Sequence, residues 1–344
     1  MEMMLKVPLV SVLIPAYNHE KYVQETIRSI IKQTYSNIEL LVLDDGSTDS
    51  TFSKINELKS ECLKRFATVQ FLTQANSGIC NTLNTLFSIA KGEYVYIIAS
   101  DDLAVCEAIE TLLQSFDTQD TVLAVGDNAI IDCDSNIIGW GKERSEKTTK
   151  SIFYSWWEYN CFKRPELINI GDNFGSYDSL LKGGYLTNGY LIRASALKKT
   201  GGWRDGTLDD WYMQLQLAKI GKFKFVNKKL CLYRWHGANT AGNSIVMRKA
   251  IALTKKYEEE LVIKSENKEL LEKFYANIDY SPEFYNALDE ILSMKTCADR
   301  SDFYAYYKKI RHHTKKQLFF YVASFIPCAF AILRMHRKIK NRRK

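Results

Sequence analysis

The stretch Tyr94-Val-Tyr-Ile-Ile-Ala-Ser-Asp101-Asp102 restricts the possible folds of this chain more than any other: an apolar, β-favouring run halts at two adjacent carboxylates. Such a run reads as a strand buried on both faces of a parallel sheet, and in open α/β sheets ligands gather at the carboxyl ends of such strands. Two neighbouring acids repel each other and lose solvation there, so they point to a cation such as Mg²⁺ or Mn²⁺ carrying phosphates. The competing reading is local, with Asp102 capping a helix that starts near Val105.

The same plan recurs upstream. Val10-Ser-Val-Leu-Ile-Pro15 reads as a buried strand closed by the polar turn Ala16-Tyr17-Asn18-His19, and Val23, Ile27, Ile30 and Ile31 then form one helical stripe. Ile38 to Leu43 is a second strand, running into Asp44-Asp45-Gly46-Ser47-Thr48-Asp49. A helix to about Leu63, a strand from Val69 to Thr73 and the loop Gln74-Ala75-Asn76-Ser77-Gly78 follow. Ile79, Leu83, Leu86, Phe87 and Ala90 mark one more helix, and Val105, Ile109, Leu112, Leu113 and Phe116 repeat the spacing after the acidic pair. This alternation predicts an α/β, Rossmann-like layer with a mostly parallel sheet and right-handed crossovers. It has neither a Walker A loop nor a GxGxxG fingerprint, so phosphates would be held by a metal on carboxylates. Neighbouring side chains on a strand face opposite ways, which makes Asp44 structural and Asp45 the candidate for the site, or else a cap for the turn before Gly46.

At 344 residues the expectation is one large domain plus an appendage. Eight scattered cysteines without a CxxC pair argue for reduced thiols in a cytoplasmic protein, against a disulfide framework or a zinc site. Entry into a strand by Leu9 leaves no room for a signal peptide. Charge is concentrated at one end: Lys308 to Lys344 holds twelve Lys or Arg and no acid, against a chain total of +7. The apolar run Leu318 to Leu333 inside it, broken by Ser324 and Pro327, is shorter than the about 20 residues of a spanning helix. A segment lying in an anionic bilayer interface fits it; a basic helix docked on the body through its aromatic face is the alternative. Aromatic and basic residues are segregated rather than interleaved, which disfavours nucleic acid.

Val10-Ser-Val-Leu-Ile-Pro-Ala-Tyr-Asn18, Gln33-Thr34-Tyr35, Asp44 to Asp49, Asn76-x-Gly78, Ala90-Lys-Gly-Glu-Tyr94 and Asp101-Asp102 together resemble the successive signatures of family 2 glycosyltransferases, over about residues 9–240. The resemblance implies the GT-A fold, a nucleotide-sugar donor, a metal ion and inversion at the anomeric carbon. It implies Pro15, Tyr17 and Asp45 around uridine, a nucleotide-side loop at Asn76 and Gly78, Asp101 on the ribose or nucleotide, and Asp102 as metal ligand. Where some members carry a basic residue after that loop, this chain has Ile79-Cys80-Asn81. Asn188 and Gly189 resemble the strand beneath the donor sugar. Gly201-Gly202-Trp203 with Asp209-Asp210 resembles the segment where members read Gly-Gly-aromatic and then Glu-Asp at a helix start, Asp209 standing for the Glu. Asp210 is then the catalytic base. Tyr233-Arg234-Trp235-His236-Gly237-Ala238-Asn239-Thr240 resembles a closing signature that makes His236 a second metal ligand or a pyrophosphate contact.

Residues 141–185 break the α/β rhythm with an aromatic-rich insertion, read either as an acceptor-binding surface or as a satellite core. The expected layout is a GT-A domain over 1–240, with a nucleotide-binding half at 9–132 and an acceptor half at 133–240. A helical extension at 241–307 and the basic tail at 308–344 complete it. The implied activity is hexosyl transfer from a UDP-sugar, with Mn²⁺ or Mg²⁺, to a lipid-linked or oligosaccharide acceptor at the cytoplasmic membrane surface, as in O-antigen or capsule assembly. A sugar nucleotidyltransferase or a non-catalytic sugar-binding module are the alternatives. The first normally carries a Gly-rich basic loop where this chain has Pro15 to His19, and the second has no use for Asp210.

Overall fold

The computed structural model describes residues 7–142, 153–165, 174–183, 186, 188–237, 239, 244–293 and 300–325. The chain divides into two compact units, Met1–Glu258 and Glu259–Lys344.

The first unit opens with β1 (Val10–Ala16), α1 (Val23–Ile31), β2 (Ile38–Asp44), α2 (Thr51–Glu57), α3 (Lys59–Arg65), β3 (Thr68–Thr73), α4 (Ile79–Ile89) and β4 (Tyr94–Ile97). Every residue of β1 and β2 is buried, which is why their sequences are continuous apolar runs rather than alternations. Val12, Ile14, Leu40 and Val42 share one cluster with Val23, Ile27 and Ile30 of α1. Leu13 and Leu41, on the other face, are equally buried, and α4 packs on β1 and β2. Each such side chain contributes about 1.5–3 kcal/mol of burial.

The chain continues through β5 (Leu103–Ala104), α5 (Ala108–Leu113), β6 (Thr121–Ile131), β7 (Ile137–Ile138), α6 (Trp156–Lys163), α7 (Tyr177–Leu181), β8 (Tyr190–Arg193), α8 (Ala194–Leu197), α9 (Asp209–Ala218), β9 (Lys222–Arg234) and α10 (Ser244–Lys264). The sheet order is β3-β2-β1-β4-β8-β6-β9-β5, with β7 on β6. β1 to β4 pair in parallel as alternation predicts. The second half is mixed: β8 runs antiparallel to both β4 and β6, while β6 and β9 are parallel. The helix expected near Val105 begins at Ala108, because Leu103 and Ala104 first pair with Leu232 and Cys231 of β9. Register puts Ala16 opposite Asp44, Leu13 opposite Ile97, and Ile97 opposite Tyr190, so these chain reversals open on one edge of the sheet.

The aromatic insertion is partly a satellite core. Trp157 stacks on Phe225 at 4.2 Å and meets Phe174 at 5.8 Å, and Trp140 is fully buried against Tyr159, Tyr233 and Trp235. Tyr154 and Phe162 stay exposed. Tyr185 lies outside the described residues.

The second unit contains α11 (Lys268–Asn277), α12 (Ser281–Ser293), α13 (Ser301–Lys309) and α14 (Lys315–Ala323) around Tyr280, Phe284, Leu288, Ile291, Phe303 and Tyr307. Glu259 accepts hydrogen bonds from Tyr275, Tyr280 and Lys309 there. The basic residues beyond Phe325 lie outside the described residues.

One buried polar knot locks the end of the sheet away from the acids. Glu39, buried on β2, accepts from the Ser11 hydroxyl and from the Lys91 and Gly92 amides. Glu39→Ala leaves the Lys91 amide and the Ser11 hydroxyl without an acceptor, the Gly92 amide keeping Ser11 Oγ at 2.8 Å, so urea unfolding should show a loss of about 2–4 kcal/mol with an unchanged m-value. A loss below about 1 kcal/mol would show that water replaces the carboxylate.

Candidate active site

At the end of β1 the chain leaves Pro15 buried and Tyr17 45% exposed, then turns through Asn18, whose φ is +52°. Asn18 Oδ1 accepts from the Thr48 amide at 2.8 Å, and the Asn18 amide donates to Ser47 Oγ at 2.9 Å, pinning this turn to the one after β2. Asp44 accepts from the Ser47 amide and the Thr73 hydroxyl, a structural role.

Asp45 organises the 74–78 loop. Its Oδ1 accepts from Gln74 Nε2 at 2.8 Å and the Ser77 amide at 2.9 Å, and its Oδ2 accepts from the Gly78 amide at 2.9 Å. Burial works to raise its pKa, but the hydrogen bonds from Gln74, Ser77 and Gly78 hold it below the usual carboxylate value. Gly46 sits where a Cβ would fall 2.7 Å from the Asn76 amide, at a φ of +69°, so this close approach requires glycine. Asn76 itself is exposed. Gly78, at a φ of +85°, stands just before α4.

The turn after β4 separates its two acids. The resemblance implies Asp102 as the metal ligand, yet Asp102 is 0% exposed, its Oδ1 accepting from the Arg234 amide at 2.8 Å and its Oδ2 from Asn188 Nδ2 at 2.9 Å. Burial and the adjacent Asp101 push its pKa well above the usual value. Asp101 is the acid that faces the histidines. Its Oδ2 lies 3.0 Å from His236 Nε2 and 3.8 Å from His19 Nε2. The three donor atoms all lie within 4.8 Å of one another, and one carboxylate oxygen with two imidazole nitrogens fits a divalent cation. Burial lowers the pKa of His19, opposed by Asp101, which favours the neutral ring that ligates metals.

Arg234 holds this turn. Its buried guanidinium donates to the Asp101 carbonyl at 2.7 Å, the Asp132 carbonyl at 3.0 Å and Glu25 Oε2 at 2.6 Å, and lies 4.7 Å from the centre of the Tyr22 ring. Asn239 fastens the next loop, accepting from the His236 amide and donating to the Arg234 carbonyl. Arg234 and Asn239 stand inside the motif read from sequence, and His19 inside the turn after β1. What the sequence could not show is that Arg234, His236 and His19 meet at Asp101, with Asn239 fixing the backbone of the first two.

Gly189 lies beneath the site: a Cβ there would sit 2.9 Å from Tyr96 Oη and 3.0 Å from Cys231 Cβ, at a φ of +71°. Next to it, Tyr190 is buried, and its pKa is raised by burial with added contributions from Asp209 and Asp210. Asp209 and Asp210 form the first turn of α9. Asp209 is pushed up to about 7 by burial and by Asp210, and Asp210 to about 6 by burial, while Asp210 Oδ1 accepts from the Trp211 amide. Asp209 also raises the pKa of Cys80, near the start of α4, after burial, the larger cause. The acidic pair therefore stands near Cys80 at the start of α4 and near Tyr190 at the start of β8. Trp203 is buried rather than presented to a ligand, its backbone paired in both directions with the Asn84 side chain.

The fold is that of GT-A-type glycosyltransferases. S. aureus TarS 1–349 in complex with UDP-GlcNAc aligns with a TM-score of 0.60 at 15% identity, over 88% of this chain and 81% of that one. The Pyrobaculum calidifontis mannosyltransferase PcManGT in complex with GDP-Man and Mn²⁺ aligns at 0.50 and 15% identity, over 95% and 87%. Residues 11–181 match the family described as glycosyl transferase family 2, which places the chain in that family. Similar curated proteins include the hyaluronan synthase of Pasteurella multocida, 30% identical over 71% of this chain and 22% of that protein. The chondroitin synthase of Escherichia coli is also 30% identical, over 71% of this chain and 31% of its own length. The chain thus spans between about a fifth and a third of these relatives.

The raised acids generate a stability test. Both fold with pKa values above the about 3.9 of an unfolded Asp, so the unfolded chain ionises first and stability falls as pH rises from about 4 to about 7. Asp209→Asn and Asp210→Asn should each melt higher than the parent at pH 8, by the equivalent of about 1 kcal/mol after solvent screening, with no gain at pH 4. Thermal melts at both pH values check this, and equal midpoints at pH 8 would show that the pair is not strained.

Proposed function

We propose that this chain transfers one hexose, with inversion, from a UDP-sugar such as UDP-Glc, UDP-Gal or UDP-GlcNAc to a hydroxyl of a sugar acceptor. The observation that carries this reading is the meeting of Asp101, His19 and His236 at one sheet edge, with the half-buried pair Asp209 and Asp210 near Tyr190, two residues along the chain from the Asn188 that bonds Asp102. In a single displacement the acceptor hydroxyl attacks the anomeric carbon, the bond to the diphosphate breaks, and a carboxylate takes the hydroxyl proton. Asp210, raised to about 6, suits that base: ionised at neutral pH yet basic enough to accept a proton. Tyr17, Asp45 and the 76–78 loop frame the nucleotide side. Asp101 and His236 would hold a divalent cation, which would supply positive charge to the departing pyrophosphate. The TarS complex with UDP-GlcNAc and the two synthase relatives support a nucleotide-sugar donor and a polysaccharide product.

Acceptors linked to polyprenyl pyrophosphate in surface polysaccharide assembly complete the reading, because the second unit offers a membrane-facing surface. Leu318, Phe319, Val322 and Phe325 are all at least half exposed and recur at i, i+1, i+4 and i+7 on and just beyond α14. Lys315 and Lys316 open that helix, and further basic residues follow in the sequence. No described helix is long and apolar enough to cross a membrane. In this reading the contact is a peripheral one at the cytoplasmic face of the cell membrane, made by those exposed apolar side chains and the basic residues around them.

Incubation with a panel of UDP- and GDP-sugars, with release of nucleoside diphosphate as readout, tests the activity; no release with any donor would overturn it. Asp210→Asn should lower kcat by about 10²–10⁴ while donor binding persists, and the parent rate should rise with pH through about 6 as the base ionises. Near-parental turnover in the variant would remove Asp210 as base. Phe319→Asp with Phe325→Asp should abolish co-sedimentation with anionic phosphatidylglycerol vesicles, and unchanged pelleting would place the contact elsewhere.

A further inference from the structure

The turn after β1 presents a donor that the motif pattern did not assign. His19 Nδ1 lies 2.8 Å from Ser100 Oγ, so that nitrogen is occupied and Nε2 is the atom turned to Asp101. The backbone there is held as firmly as the ring: the His19 amide donates to Thr51 Oγ1 at 2.8 Å, and Asn18 is bonded on both sides to the turn after β2. His19 and His236 meet edge to face at 5.9 Å between ring centres, both aimed at the same Asp101 oxygen. Separations of 3.0 and 3.8 Å to that oxygen match the about 3–4 Å between adjacent donors on an ion with bonds of about 2.1 Å. A second ring nitrogen bonded to a neighbouring hydroxyl is how ligating imidazoles are oriented and kept in the right tautomer.

We propose that His19 is a third protein ligand of the divalent cation, and that the resulting two-imidazole, one-carboxylate set makes the site select a first-row transition ion such as Mn²⁺ over Mg²⁺. This rests on the reading that Asp101 and His236 hold a cation. Imidazole nitrogen is a good donor to transition ions, whereas Mg²⁺ takes carboxylates, phosphates and water. An all-oxygen site would accept either ion; each imidazole tips the balance toward the transition metal. Ser100 acts through His19 as a positioning residue.

Mn²⁺ titration of the full chain, alone and with excess UDP, tests this by electron paramagnetic resonance, with nitrogen couplings counting the imidazoles and Mg²⁺ competition giving selectivity. The parent should show two coordinated imidazoles. His19→Ala should show one, bind Mn²⁺ about tenfold or more weakly and lose selectivity. His19→Asp should regain binding with its preference moved toward Mg²⁺, and metal-free melts matching the parent show that both variants fold. Unchanged couplings and affinity in His19→Ala, with binding lost in His236→Ala, would overturn the role of His19 and leave the Asp101–His236 site standing. A parent that binds neither ion, with or without UDP, would overturn both.

Discussion

The buried guanidinium of Arg234 is the contact on which the site's geometry depends. An interior cation needs nearly every donor satisfied, and Arg234 obtains this from the Asp101 and Asp132 carbonyls, Ser135 Oγ and Glu25, with the Tyr22 ring beside it. Its own amide meanwhile fixes Asp102. One side chain thus ties α1, the end of β6 and the turn after β4 to the end of β9. The orientation of Asp101 toward His236, two residues beyond Arg234, follows from that tie. Lys could not replace it, since three donors on a point charge cannot reach the partners that a planar fork reaches.

Much of the first half was readable from residues because its physics is local. The buried runs of β1, β2 and β4 and the helical stripes between them leave one parallel arrangement, and turn residues at strand ends mark the ligand edge. Alternation also sorted Asp44 from Asp45, since both adjoin a strand whose phase is set by its buried residues. For Asp101 and Asp102 the rule fails. β4 ends at Ile97, and the chain turns before the acids, so strand phase no longer predicts which one faces inward. What decides is Asn188 and Arg234, 86 and 132 residues further along. The antiparallel direction of β8 is opaque for the same reason, since pairing partners and not composition determine it.

Family resemblance located the aromatic of the Gly-Gly-Trp segment but not its use. Trp203 lies inside, with Gly202 at a φ of +86° and so close to Asn84 that a Cβ would meet its Oδ1 at 2.5 Å. The segment therefore fixes the start of α9 relative to α4 and so sets where Asp209 and Asp210 stand. The 141–185 insertion divides in the same way: Trp157 builds core against Phe225, and Tyr154 and Phe162 keep exposed faces.

Four carboxylates around one edge would repel one another if their surroundings were alike, and the fold makes them unlike. Asp45 has amides and Gln74 as donors, which keep it ionised and make it a fixed anion that shapes a loop. Asp102 is enclosed and pushed strongly upward by burial and by Asp101. Asp101 is also buried, but it has two imidazoles beside its outer oxygen. Asp210 has a single close amide donor and a half-buried setting, which leaves it near 6, where a carboxylate can alternate between its two states. One residue type thus serves as clamp and buried brace and, in the function proposed above, as ligand and base, and the differences come from how many donors each oxygen finds and how much water reaches it.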